Sequence, residues 1–216
     1  MDERQTVRSF DVDDTLINRG PLLRAFGLAA EKAKRSGLKP VTTGAIQQMT
    51  HTPEDLPIRS VLERLSLLAH SRRTLLDGVG DAISANGTQD GVRNIVNTGR
   101  SNKLPWAKMT WNQFEQFGLD PYFEQYAFKP HGATSTASKL DVIRSLLETG
   151  SNVEHYEDDP RTAYSIARAF PDVAVYLVHH KLTMQMVNIE QLRVCPNLHV
   201  VTHIREALTH KSLHTS

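Results

Sequence analysis

The chain has 216 residues, of which 39% are hydrophobic and 23% charged, with a formal net charge of +1 at pH 7. Those proportions support a folded core and exclude a general electrostatic pull toward nucleic acid or an anionic membrane. One cysteine, Cys195, excludes an internal disulfide and a cysteine-based zinc site, and no run approaches the roughly 18 apolar residues of a membrane span. Met1–Phe10 has no signal-peptide core, so a cytoplasmic protein with no membrane partner is expected.

In chain order, Val7–Val12 is the first candidate strand and runs into Asp11-Val12-Asp13-Asp14-Thr15. Three carboxylates within four residues repel one another unless a cation or a basic group sits among them. A solvated acidic turn is the plain reading. The chemical reading is that the C-terminal end of a parallel strand is where open α/β sheets bind ligands. Residues 19–74 then break the strand rhythm. Leu22, Phe26, Ala29 and Ala33 mark one amphipathic helix, and Ile58, Val61, Leu65 and Leu68 another, with Pro40, Pro53 and Pro57 in loops between them. This segment carries ten Lys/Arg against four Asp/Glu, and reads as a mostly helical insertion.

From residue 92 onward, short apolar runs alternate with helical spacing, the pattern of βαβ units and a parallel sheet. Candidate strands are Val92–Val96, a weak Tyr126–Lys129, Asn152–Glu157, Val173–Val178 and Leu198–Val201. Leu140, Ile143 and Leu147 mark one intervening helix, and Ala163, Ile166 and Phe170 another. After Val96 comes Asn97-Thr98-Gly99-Arg100-Ser101, which offers a hydroxyl, a pliable turn and a guanidinium to an anion. Lys139 opens the next amphipathic helix, and Glu157-Asp158-Asp159 follows a strand and precedes Pro160. Alone, that acidic group reads as a helix N-terminal cap. Beside the first cluster it forms an oxygen-rich site suited to Mg²⁺. Eight of the fourteen aromatics lie in 106–128; Trp111, Phe114 and Gly118 fit one helix face, so core packing outweighs base stacking. His179 and His180 end a strand near the presumed crevice.

Taken in order, the acidic strand end, the Asn-Thr-Gly-Arg turn, the helix lysine and the second acidic strand end resemble the four motifs of the haloacid dehalogenase-like (HAD-like) hydrolase superfamily. The resemblance covers residues 7–18 and about 92–180. It implies an α/β fold, a Rossmann-like parallel sheet core (1–18 and 75–216), with residues 19–74 as a small helical cap inserted after the first motif. It also implies a phosphatase, a Mg²⁺-dependent phosphohydrolase working through an aspartyl-phosphate. In that scheme Asp11 is the nucleophile, Asp13 the general acid/base, Thr98 a phosphoryl-binding hydroxyl and Lys139 the cation that neutralises the intermediate. Mg²⁺ falls to Asp11, the Asp13 backbone carbonyl and Asp158, with Asp159 the alternative one register along. Thr15, Gly99 and Arg100 fall to substrate binding. Lys129, followed by Pro130, is the rival to Lys139. Two positions depart from the family pattern: Asp14 stands where glycine is common, and Asn97 replaces an apolar residue.

A small phosphorylated substrate is the expected partner, and a phosphorylated nucleic-acid end the alternative, because Thr136–Lys139 with Tyr156–Asp159 resembles the phosphatase modules of polynucleotide repair enzymes. A non-catalytic phospholigand-binding module is a reading from another class, and retention of both Asp11 and Asp13 argues against it. A signalling receiver domain is disfavoured because an acidic cluster comes last in the chain, after the lysine.

Overall fold

A computed structural model describes residues 5–18, 53–58, 61–86, 89–178 and 194–210. Its elements, in chain order, are β1 (Thr6–Phe10), α1 (Val61–Ser71), α2 (Val79–Asn86), β2 (Val92–Ser101), α3 (Leu104–Gln116), a 3₁₀ turn (Asp120–Tyr122), β3 (Gln125–Lys129), α4 (Ser135–Glu148), β4 (Asn152–Glu157), α5 (Pro160–Ala169), β5 (Ala174–Val178), β6 (Leu198–Val201) and α6 (Ile204–His210). The expected helix through Leu22 and Phe26 lies outside the described residues, as do His179, His180 and most of the expected cap.

All six strands are parallel, in the order β3-β2-β1-β4-β5-β6. The architecture is therefore the expected Rossmann-like α/β sheet. The chain winds outward from β1 through β2 to β3, then returns to the other side of β1 with β4. That reversal puts a crevice at the C-terminal ends of β1 and β4, where open sheets bind ligands. Phe10 pairs in register with Tyr156, so the residues that follow them, Asp11 and Glu157, emerge side by side.

Both faces of the sheet are covered, which explains the continuously apolar run of β5, Ala174-Val175-Tyr176-Leu177-Val178. On one face Val7, Ile95, Val153, Val175 and Leu177 pack beneath α4 and α5. On the other, Phe10, Val96, Tyr156, Tyr176 and Val178 pack with residues of α2, α3 and α6. Phe10, Tyr156 and Tyr176 stack in a row with centroids 4.5 and 5.0 Å apart. The aromatic group of 106–128 is core, with Phe114 buried edge-on against Phe123 and Tyr126. Gly118 does not share the α3 face. It lies past the helix end at φ 66°, where Gly118 N–H and Leu119 N–H close the last turn on Glu115 O and Phe114 O.

Three elements differ from the sequence reading. β2 runs on to Ser101, because Asn97, Thr98 and Arg100 are buried against other polar groups rather than turned into solvent. α2 carries only Val79, Ala82 and Ile83 as buried residues, too few to stand out as a periodic stretch. In α1 the apolar stripe Val61, Leu65 and Leu68 is 72%, 57% and 52% exposed. That helix instead turns polar groups toward the rest of the fold: Glu63 meets Lys103, and the His70 backbone carbonyl accepts from Gln113 on α3.

Candidate active site

The site begins with the loop after β1. Asp11 N–H donates to Tyr156 O at 2.9 Å, continuing the β1–β4 ladder by one residue and fixing Asp11 at the strand edge. Leu16 and Ile17 N–H then both return to Val12 O, a tight turn that needs a left-handed residue at Asp14, φ 62°. Glycine adopts that region most readily and aspartate is among the few others that tolerate it, which accounts for the departure at this position.

Asp11 and Asp13 are both buried, and they face different partners. Asp11 Oδ1 pairs with Lys139 Nζ at 2.8 Å. Burial pushes the Asp11 carboxyl above the ordinary carboxylate range; Lys139 opposes that, while Glu157 and Asp13 add to it. Asp13 Oδ1 pairs with Arg73 Nη1 and accepts from Arg100 Nη2 at 2.7 Å, and Oδ2 accepts from Arg100 Nε at 3.3 Å. His70 Nε2 lies 4.0 Å from Asp13 Oδ2. Burial, reinforced by Arg73 and Arg100, holds His70 down at about 4 against the pull of Asp13, so the ring is neutral at pH 7.

Lys139 is the fifth residue of α4, not its opening residue, because Thr134 caps the helix by accepting from Ala137 N–H. Its Nζ bridges Asp11 Oδ1 and Glu157 Oε2, the latter at 2.6 Å. Burial alone would lower the Lys139 pKa; the two carboxylates outweigh it and raise the value above that of an ordinary lysine. Against the upward push of burial, Lys139 and His155 hold Glu157 at about 2. Lys129 sits at the end of β3, with β2 between it and β1.

Past β4 the two aspartates separate in role. Asp159 caps α5, its oxygens accepting from Arg161 N–H at 3.2 Å and Thr162 Oγ1 at 2.8 Å, with Pro160 in the first turn. Asp158 joins the site: Asp11, Glu157 and Asp158 each offer a carboxylate oxygen within 4.8 Å of the others. Hard oxygen donors of this kind suit Mg²⁺.

The remaining expected residues fall around this centre. Thr98 is buried on β2, and its Oγ1 accepts from Arg100 N–H. Gly99 leaves room for α4, since a Cβ there would stand 2.4 Å from Ser135 Oγ. Thr15 is fully buried, with no hydrogen-bond partner for its hydroxyl among the described residues. Arg100 is committed to Asp13, Thr110 and Gln113. Sequence reasoning missed His70 at this site and gave Arg73 no role on Asp13, because both lie about 60 residues further along the chain and meet Asp13 only in three dimensions. Glu157 stood in the expected acidic group but without a role.

No protein-family model and no curated protein matches the chain. Solved structures do. A putative beta-phosphoglucomutase from Thermotoga maritima superposes with a TM-score of 0.56 at 17% identity, covering 98% of this chain and 100% of that one. A haloacid dehalogenase-like family hydrolase from Streptococcus pneumoniae gives 0.56 at 9% identity, over 96% and 98% of the two chains. The fold is that of the HAD-like hydrolases. A further HAD-like neighbour, the putative HAD-hydrolase YfnB from Bacillus subtilis in a magnesium-bound form, gives 0.55 at 14% identity over 97% and 99%. L-2-haloacid dehalogenase from Xanthobacter autotrophicus gives 0.54 at 12% identity over 98% and 100%. Among the described residues, no helix is long and apolar enough to cross a membrane.

Proposed function

We propose that this chain is a Mg²⁺-dependent phosphohydrolase that cleaves a small phosphate monoester through an aspartyl-phosphate on Asp11. The observation that carries the reading is the arrangement around Asp11: a buried carboxylate at a strand end, a lysine on one oxygen, and a second aspartate, Asp158, converging from the neighbouring strand. Carboxylate oxygens of Asp11 and Asp158 would hold Mg²⁺, which when bound offsets charge on the phosphoryl oxygens.

The chain's own residues supply the rest. Asp11 attacks phosphorus, so that one difficult displacement becomes two easier ones. Lys139, held at 2.8 Å from Asp11 Oδ1, keeps a positive charge beside the bond that forms. Thr98 and Thr15 are both buried, and each carries a hydroxyl that could donate to a phosphoryl oxygen. Asp13 would act as the general acid/base: once a bound dianionic ester or solvent has protonated it, it delivers that proton to the departing oxygen, and as the carboxylate its two arginines favour it then takes one from the water that hydrolyses the intermediate. Arg100 and Arg73 fix the direction of that carboxylate. Dehalogenation would need no such proton shuttle, so a buried and oriented Asp13 favours phosphate chemistry.

Hydrolysis of a chromogenic phosphate ester, with and without Mg²⁺, tests the reading, with Asp11→Asn as the control. A protein that binds phosphate esters without turning them over would instead be a phospholigand-binding module. A panel of small monoesters run beside 3′-phosphorylated oligonucleotides then settles the substrate class.

A further inference from the structure

A chain of buried polar side chains runs through the sheet beneath the site. Ser9 on β1, Asn97 on β2 and His155 on β4 lie among the apolar residues Val7, Ile95 and Val153, on the face covered by α4. Polar groups in such a place are costly unless bonded. Asn97 Nδ2 donates to Ser9 Oγ at 3.2 Å and approaches the Lys139 carbonyl at 3.5 Å. Ser9 Oγ lies 3.1 Å from His155 Nδ1, and His155 Nε2 lies 3.3 Å from Glu157 Oε2.

The proton positions follow from what each group can do. Glu157, paired with Lys139, is a carboxylate and can only accept, so the His155 proton sits on Nε2. Ser9 Oγ accepts from Asn97, and its own hydrogen is directed at Nδ1. With its proton on Nε2 and Nδ1 accepting, His155 completes a one-way chain from Asn97 through Ser9 to Glu157.

Glu157 is then saturated. A carboxylate offers about four acceptor positions. Oε2 takes Lys139 Nζ at 2.6 Å and His155 Nε2 at 3.3 Å; Oε1 takes the backbone N–H of Asp158 at 3.2 Å and of Asp159 at 3.1 Å. A cation at Glu157 would have to displace one of these donors.

We propose that Glu157, although grouped with Asp11 and Asp158, is a positioning residue and not a metal ligand. Oriented by the Asn97–Ser9–His155 chain, it holds Lys139 against Asp11 and shapes the turn that presents Asp158. The inference rests on the phosphohydrolase reading only where turnover is measured.

The first test needs neither metal nor substrate. Nitrogen-15 NMR of His155 in the metal-free protein should show Nε2 protonated and Nδ1 bare; a protonated Nδ1 overturns the chain. The second separates metal binding from chemistry. In His155→Leu the two backbone bonds at Oε1 persist, so Mn²⁺ affinity by electron paramagnetic resonance should stay within about threefold of wild type, while turnover falls roughly 10- to 100-fold as Oε2 and Lys139 lose their alignment. His155→Gln, which still places an N–H toward Glu157 and a carbonyl toward Ser9, should recover most of that loss. A parallel fall in Mn²⁺ affinity and turnover, or a Glu157 oxygen among the ligands in a Mn²⁺-bound crystal, overturns the proposal. If the wild-type protein hydrolyses no phosphate ester, the functional reading fails, and the His155 tautomer and the Mn²⁺ ligand set still decide this one.

Discussion

The two aspartates of the first motif stand two residues apart and occupy opposite electrostatic halves of one site. Among the described residues, three carboxylates (Asp11, Glu157, Asp158) on the Asp11 side face one lysine, Lys139, a formal balance of −3 + 1 = −2. Among the same residues, one carboxylate on the Asp13 side faces two arginines, Arg73 and Arg100, a balance of −1 + 2 = +1, because His70 is neutral. Surplus negative charge suits a divalent cation, and surplus positive charge suits an anionic substrate. On the proposed function, the short loop between Asp11 and Asp13 would divide a metal-accepting half from an anion-accepting half, with the chemistry expected where they meet.

The largest effect should come from removing the centre of the negative half. Asp11→Asn keeps the shape but cannot form an acyl phosphate, and turnover should fall on the order of 10⁴-fold or more, with an unchanged circular dichroism spectrum. Near-wild-type activity in the purified variant would remove Asp11 as nucleophile. Lys139→Ala comes next. It strips the lysine counter-charge from two buried carboxylates, Asp11 and Glu157, so it should cost about 3–5 kcal/mol of stability and on the order of 10²-fold in turnover. Lys129→Ala, two strands away from β1 on the far side of β2, should leave turnover within about twofold. Equal losses in both variants would show that charge in general, and not its position on Asp11, is what matters.

How much of this was legible in sequence depended on whether the signal was local. Asp11 and Asp158 each follow a short strand, Thr6–Phe10 and Asn152–Glu157, and strand ends can be read from a window of a few residues. The parallel pairing of β1 with β4 then brings them together without further information. Lys139 could be chosen over Lys129 because one helix and one strand fit between it and Asp158. The clamp on Asp13 has no local signature: Arg73 lies 60 residues away and Arg100 lies 87. A basic insertion could be read from composition, but not which arginine turns inward. Arg73 is buried on Asp13 whereas Arg72 and Arg64 are exposed; Arg24, Lys32, Lys34, Arg35 and Arg59 lie outside the described residues. Ser9, Asn97 and His155 were equally hidden, since polar residues inside apolar strands look like noise until their cross-strand partners are known.

Metal dependence should divide the neighbouring aspartates. Asp158→Ala removes a carboxylate from the negative half and should raise the Mg²⁺ needed for half-maximal activity on the order of 10- to 100-fold. Asp159→Ala removes a helix cap and should cost about 1 kcal/mol in stability with the Mg²⁺ requirement unchanged. The opposite pattern in a Mg²⁺ titration would shift the ligand by one residue. In the positive half the comparison is Arg73 with Arg72. Arg73→Gln loosens Asp13 and should lower kcat roughly tenfold, whereas exposed Arg72→Glu should change only KM, a few-fold at low salt and less as salt screens it. A salt slope for Arg72→Glu as steep as several released counterions would favour a nucleic-acid end as substrate.

The smallest effect concerns His70, whose neutrality sets the +1 balance of the positive half. Its ring is fixed: Nδ1–H donates to Ser66 O at 2.7 Å, and the ring stands edge-on to Trp106 with centroids 5.0 Å apart. Asp13, Arg73 and Arg100 are the charged groups that act on it, and burial holds it at about 4, below the ordinary 6.5. A histidine with a depressed pKa binds its proton more readily in the unfolded chain, so stability rises with pH across that interval. The contribution is complete above about 6.5 and is lost as pH falls toward 4, at most about 3 kcal/mol for a shift of this size. Glu157 acts with the same sign in a lower window, between its ordinary 4.5 and about 2, so the two can be separated. Urea unfolding at pH 7.0 and 4.5 should therefore show wild type losing about 1–3 kcal/mol more than His70→Gln over the same interval. Equal losses would mean that folding leaves the His70 pKa at its ordinary value; a smaller loss in wild type than in His70→Gln would mean that the ring is held charged in the folded protein at neutral pH, which would raise the balance beside Asp13 from +1 to +2.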